Sequence, residues 1–170
     1  KLHPGADDNA SGVAVLLVLA ERLKREEFRK FDYLFVAFSA HEDGLFGSTE
    51  FAGSKLYEAG RVRLMVNLDM VGRLGRVSPM ARVTRRKADE GLDALLRLEA
   101  GKEFQLRIVE EGLKETDAGP FGDFGISALS LTTGPHEDYH KTSDTPEKLN
   151  YDGMLAIAGW IERFVRALGK

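Results

Sequence analysis

The chain has no cysteine among its 170 residues, so it forms no disulfide and offers no thiolate to a metal. Any ion must be held by imidazole or carboxylate. There is no basic excess either: 24 Lys and Arg stand against 27 Asp and Glu, with the signs interleaved and a net charge of -3. A nucleic-acid or anionic-membrane partner therefore has no electrostatic support. The longest apolar run, residues 13–20, is far short of the about 20 residues that cross a bilayer, and no membrane span is expected. Internal repeats, low-complexity runs and linkers are also missing. The chain starts at Lys1 without Met, leader or opening strand, which reads as truncation or processing.

What is present suffices for one core. With 43% hydrophobic content, residues 1–170 are expected to form a single domain. Asn9 is placed to cap a helix from about Ala10 to Arg29, in which Val13, Leu16, Leu17, Ala20 and Leu23 recur at helical spacing. Phe31 to Ala40, rich in aromatics, reads as a buried strand, and Ser48 can cap a short helix running to about Glu58. Strands are predicted over Val62 to Asp69, Arg76 to Thr84, the latter near an edge of the sheet, Phe104 to Glu110 and Ile126 to Thr132. Helices are predicted over Lys87 to Gly101 and Tyr151 to Leu168, with Gly112 to Gly125 as a loop between them. Strands alternating with helices predict an α/β fold: three layers, α/β/α, around a mostly parallel, mixed sheet.

Four segments carry the chemistry: GADDNASG at 5–12, HEDGLFGS at 41–48, NLDMVG at 67–72 and HEDYH at 136–140. Each lies beside or just beyond an apolar run. Ligands of open α/β sheets gather beyond the carboxyl ends of strands. A carboxylate there is costly without a partner, so several converging at one edge ask for a cation. Asp8, Glu42, Asp69 and His140 provide the oxygen and nitrogen donors that suit zinc, manganese or a related divalent ion. Blander roles stand beside these. Asp8 and Asn9 could merely cap a helix, Asp69 could pair with Arg73, Tyr139 could pack as an aromatic, and His136 reads as a loop residue.

The blocks GADDNASGVAVLLVLA, FVAFSAHEDGLFGSTEF, NLDMVG, PFGDFGISALSLTTG and HEDYHKTSDTPEKLNYDG, in this order, resemble those of the co-catalytic zinc aminopeptidases, family twenty-eight of the metallopeptidases. The resemblance implies hydrolysis of N-terminal peptide bonds by a metal-activated water, with peptides as substrates and one or two zinc ions, or manganese or cobalt, as cofactor. Asp8 matches the carboxylate that bridges both metals, and its peptide bond to Asn9 is often cis in that family. Glu42 and His140 match ligands of one zinc and Asp69 a ligand of the other. Tyr139 matches a position whose hydroxyl stabilises the oxyanion in some members.

Two departures from the family pattern matter. A histidine ligand from an HxD segment upstream of GADDN is expected, and the chain starts after that point. Paired glutamates, base then ligand, are also expected, whereas His41 precedes Glu42. His41 is then either a substitute base or a ligand. The alternative function is a catalytically silent domain that binds metal or peptide. TDAGPF also departs from the pattern, with Ala118 where a polar ring is expected. A sheet edge left unpaired predicts self-association.

Overall fold

Apolar side chains spaced two residues apart along short strands build one mixed sheet, and helices cover it on both sides. The computed structural model describes residues 2–75, 80–85, 90–101, 103–110 and 112–170. Strands β1 (Met65–Leu68), β2 (Met80–Arg85), β3 (Gln105–Val109) and β4 (Ala128–Thr132) lie in the order β1-β4-β2-β3. β1 with β4 and β2 with β3 are parallel, while β2 and β4 are antiparallel. The expected α/β class with a mostly parallel, mixed sheet is what forms.

The helices are α1 (Gly12–Arg22), α2 (Phe46–Ala52), α3 (Glu90–Ala100), α4 (Ala118–Asp123) and α5 (Tyr151–Leu168). Leu64, Val66 and Leu68 of the β1 region, with Leu129 and Leu131 of β4, pack with α1, α3 and α5. Met65 and Ala128 point the other way, into a smaller cluster with Ala52, Ala118 and Phe121 from α2 and α4. This period-two split makes the three layers. Trp160, Ile157 and Phe164 of α5 are almost fully buried in the larger cluster, and the Trp160 indole N–H donates to the Leu96 carbonyl at 3.1 Å. α5 matches its predicted span because its apolar stripe is long and Asn150 caps it, accepting from Gly153 N at 3.1 Å.

Several expectations are corrected. The first helix is shorter than 10–29: Ala6–Ser11 forms a wide, interrupted turn, α1 ends at Arg22, and Glu26–Phe28 is a separate 3-10 turn. Residues 31–40 are not a buried strand. They form no ladder among the described residues, and Leu34 and Phe35 are 65% and 37% exposed. Ser48 does not cap α2; it is buried inside it and its hydroxyl donates back to the Leu45 carbonyl at 3.1 Å. α2 also stops at Ala52, six residues short of Glu58. Part of the loop predicted over 112–125 is α4, and β2, expected near an edge, lies inside the sheet between β4 and β3, with Ala81 and Val83 fully buried. Residues 76–79 and 86–89, where a strand and a helix were predicted to begin, lie outside the described residues.

Between 31–38 and β1 lies a cavity of about 1220 Å³, floored by Leu16 and Leu19 of α1 and Ile161 of α5. β1 is at the sheet's edge, so its side facing this space carries no ladder partner among the described residues. His41, Glu42, Asp69 and Asp117 also line this cavity.

Candidate metal centre

β1 and β4 are parallel neighbours, so both release their chains at the same edge of the sheet. Asp69 directly follows β1, and the loop carrying His136 to His140 follows β4. The turn Ala6–Ser11 is pinned against that edge by Asn9. The Asn9 amide donates to the Leu68 carbonyl at 2.8 Å, and its oxygen accepts from Met70 N at 3.0 Å and Gly12 N at 3.2 Å. The last of these reaches the first residue of α1, but the N-cap of that helix is Ser11 and not Asn9 as expected. Gly12 permits the contact: a Cβ there would lie 2.6 Å from the Leu68 carbonyl oxygen.

The result is a cluster built from distant pieces of chain. His140 Nε2 lies 3.1 Å from Asp8 Oδ2 and 3.0 Å from Glu42 Oε1. Asp8, Glu42 and His140 have donor atoms all within 4.8 Å of one another, and among the described residues they are the one set of His and acid side chains that does so. Asp69 lies beside this set, close enough for its charge to act on His41 and Tyr139. The Asp8–Asn9 peptide is cis. Ala40, Met70 and His140 adopt positive φ of 55°, 56° and 57°, the left-handed region that costs non-glycine residues energy. All three stand at or next to a site residue, where such strain concentrates in functional sites.

Acids outnumber cations at this spot. Asp8, Glu42, Asp69 and Asp117 face the two imidazoles of His41 and His140. Burial, then repulsion from Glu42, raises the Asp8 carboxyl above its ordinary pKa, against the attraction of His140 and His41. Asp69 is raised for the same leading reason, burial, which the attraction of His41 opposes and the repulsion of Asp8, Asp117 and Glu42 reinforces. Carboxyls held above their usual range by burial and by each other gain most from a bound cation. Two carboxylates and an imidazole within 4.8 Å also match the ligand chemistry of zinc. The residues present therefore fit one divalent ion.

His41 is engaged by a residue that the sequence did not single out. Its Nδ1 lies 2.9 Å from Asp117 Oδ2, just before α4, leaving Nε2 free of that bond. The hydrogen bond to Asp117, with the fields of Asp117, Asp69 and Glu42, pushes the His41 pKa up to about 9 against the opposing effect of burial. Burial works against the Asp117 charge too, yet His41 holds that carboxyl below its ordinary range. In the metal-free chain Asp117→Ala brings the His41 pKa down from about 9 toward 6.5, as read by NMR titration of the ring. Because folding raises this pKa, the coupling stabilises the metal-free fold fully below about 6.5 and is lost as pH rises through about 9. An unchanged titration in the variant would refute the pairing.

Tyr139 stacks on His140 with ring centroids 3.8 Å apart and is 42% exposed, so it is not a core aromatic. Burial and the negative field of Glu42, Asp8 and Asp69 raise its hydroxyl pKa, which keeps it an O–H donor at neutral pH. His136 is not in the donor set; its Nε2 meets the buried Asp7 Oδ2 at 3.0 Å. Arg73 does not pair with Asp69 as one reading of the sequence allowed. It bonds Asp138 and Asp144 at 3.1 and 3.2 Å. His3 is exposed near the start of the chain.

A family model described as Peptidase family M28 matches residues 1–165. The chain is 28% identical over 190 residues to the uncharacterized protein YfbL of Escherichia coli, covering 91% of this chain and 57% of that protein. It is 29% identical over 172 residues to aminopeptidase YwaD of Bacillus subtilis, covering 89% of this chain and 35% of that protein. Among solved structures, a zinc aminopeptidase from Bacillus subtilis superposes with a TM-score of 0.80 at 25% identity, covering 98% of this chain and 43% of that chain. The chain thus spans about half, or less, of the length of these relatives.

Proposed function

The chain belongs to peptidase family M28, and from that premise we propose that it is a zinc-dependent aminopeptidase domain that hydrolyses N-terminal peptide bonds. The observation that carries this reading is the meeting of Asp8, Glu42 and His140 within 4.8 Å at the carboxyl edge of the sheet. These three would hold one divalent ion, and Asp69, with Asp8, would serve a second. Zinc is the proposed ion, with manganese or cobalt acceptable to the same donors. When bound, such an ion supplies Lewis acidity, polarising a carbonyl and acidifying a water.

The chain's own groups supply the rest. His41 Nε2 takes the proton from the attacking water, in the place of the usual glutamate, and Asp117 holds the ring through Nδ1. A cation nearby lowers the His41 pKa and frees Nε2 to accept that proton. The Tyr139 hydroxyl, kept protonated, donates to the oxyanion that develops on the substrate carbonyl. Loaded with zinc, the chain is expected to cleave aminoacyl anilides bearing a free amine, to lose that activity to a chelator, and to leave N-acetylated forms intact. Equal cleavage of acetylated substrate would reject an aminopeptidase.

A second reading is a silent domain of the same fold that binds metal or peptide. One observation favours it: His41, tied to Asp117, stands where the family's usual glutamate base is expected. Saturated zinc without turnover of any free-amine substrate would select it. The outer edge of β1, which has no ladder partner among the described residues, also supports self-association of this chain. Sedimentation should then detect dimers or larger species at high concentration, and a monodisperse monomer would contradict this.

A further inference from the structure

Asp8 sits in backbone that cannot hold itself. Asp8 (φ -108°, ψ 88°) and Asn9 (φ -130°, ψ 38°) break the helical turn, so regular helix bonds do not fix where the Asp8 carboxylate points. Its main chain is gripped from outside instead. The N–H groups of Asp7 and Asp8 both donate to one oxygen, Asp144 Oδ2, at 2.9 and 3.1 Å, and Ala6 N donates to the Asp144 carbonyl at 3.2 Å. Asp144 is 2% exposed, and the same residue is tied at its other oxygen, where Arg73 donates to Oδ1 at 3.2 Å. The same Arg73 nitrogen reaches Asp138 Oδ2 at 3.1 Å, and Lys148 pairs with Asp138 Oδ1.

Asp138 and Asp144 bracket His140, whose φ of 57° is one a histidine keeps only when its surroundings dictate it. One guanidinium therefore clamps both ends of the loop that presents His140, while Asp144 grips the turn that presents Asp8. Both carboxylate oxygens of Asp144 are thus taken, Oδ2 by the two amides and Oδ1 by Arg73, so it is an acceptor aimed at backbone and not at the donor set.

Resting on the proposed metal site, we propose that Asp144, locked by Arg73, is a positioning residue that fixes the Asp8 carboxylate relative to His140 and so sets zinc affinity without itself binding the ion. Groups that orient metal ligands typically change affinity by about 10- to 100-fold when removed. The test is zinc affinity, by competition with a chelator, for the wild-type chain, Asp144→Ala, Asp144→Asn and Arg85→Met. The last variant breaks the buried Arg85–Asp93 pair elsewhere in the fold and controls for lost stability.

Asp144→Ala is expected to weaken zinc binding about 10- to 100-fold, with Asp144→Asn, which retains an acceptor oxygen, recovering much of that loss. Arg85→Met should lower the unfolding midpoint yet keep zinc affinity within about twofold, as for an independent site. Where the alanine variant does not fold, the asparagine variant carries the test with a smaller loss in the same direction. Zinc affinity unchanged in the Asp144 variants, or falling in step with the unfolding midpoint across all variants including Arg85→Met, would overturn the inference.

Amide hydrogen exchange of the metal-free chain separates this inference from the reading beneath it. Faster exchange at Asp7 and Asp8 in the Asp144 variants supports the grip, whether or not zinc binds through His140. Unchanged protection there overturns it even when zinc binding through His140 holds.

Discussion

His140→Ala lowers the zinc affinity of this chain by at least about 10²-fold, more than the loss typical of a residue that merely orients a ligand. The reason is geometric. His140 Nε2 is the nitrogen that lies within 3.1 Å of both Asp8 Oδ2 and Glu42 Oε1, and removing it leaves two crowded carboxylates. The alanine also leaves Asp8, already pushed toward its neutral form by burial and by Glu42, without its largest compensating charge. Chelator competition reads the affinity directly. A variant that binds zinc as tightly as the wild-type chain would remove His140 from the site.

His41→Ala lowers the turnover number by about 10² to 10⁴, the usual worth of a positioned base, while zinc per chain stays unchanged. The split between rate and metal content separates the two roles open to this residue. If zinc content falls with the rate, His41 is a ligand whose Nδ1 is oriented by Asp117, an arrangement equally familiar for metal-bound histidine. If neither changes, both roles are wrong. Asp117→Ala should follow in the same direction with a smaller loss, because it leaves the ring in place but unoriented.

How much of this was legible in the sequence differs by kind of feature. Periodicity alone located α5, β1, β3 and β4, since each has an apolar face that a neighbouring layer covers. Residues 31–40 were misread because hydrophobicity measures the capacity to be buried and not the presence of a partner. Tyr33 and Phe38 do pack inward, but Leu34 and Phe35 face outward beside the cavity next to β1. The end of α1 was overestimated since apolar spacing continues to Phe28, which reaches the core from a separate turn.

The cluster of Asp8, Glu42 and His140 was readable because each stands in a local motif next to a strand or turn. The residues that orient it were not. Asp117, Arg73, Asp144 and Asp7 act through pairings 65 to 137 residues apart, such as Asp7 N to Asp144 Oδ2 and Gly72 N to Asp7 Oδ1. No local pattern encodes such a pair. The one available signal was an acid at the start of a short helix in TDAGPF, a place where the sequence already departed from the family pattern. His136, read as a loop residue, meets buried Asp7, a pairing that was not foreseen.

No helix among the described residues is long and apolar enough to cross a membrane, in line with the short apolar runs. Everything functional in this account turns instead on one edge of the sheet. Anomalous diffraction at the zinc edge, on crystals of the chain equilibrated with zinc, tests it most directly. The account predicts a peak within bonding distance of Asp8, Glu42 and His140, absent in His140→Ala; a peak elsewhere, or none at saturating zinc, would contradict it.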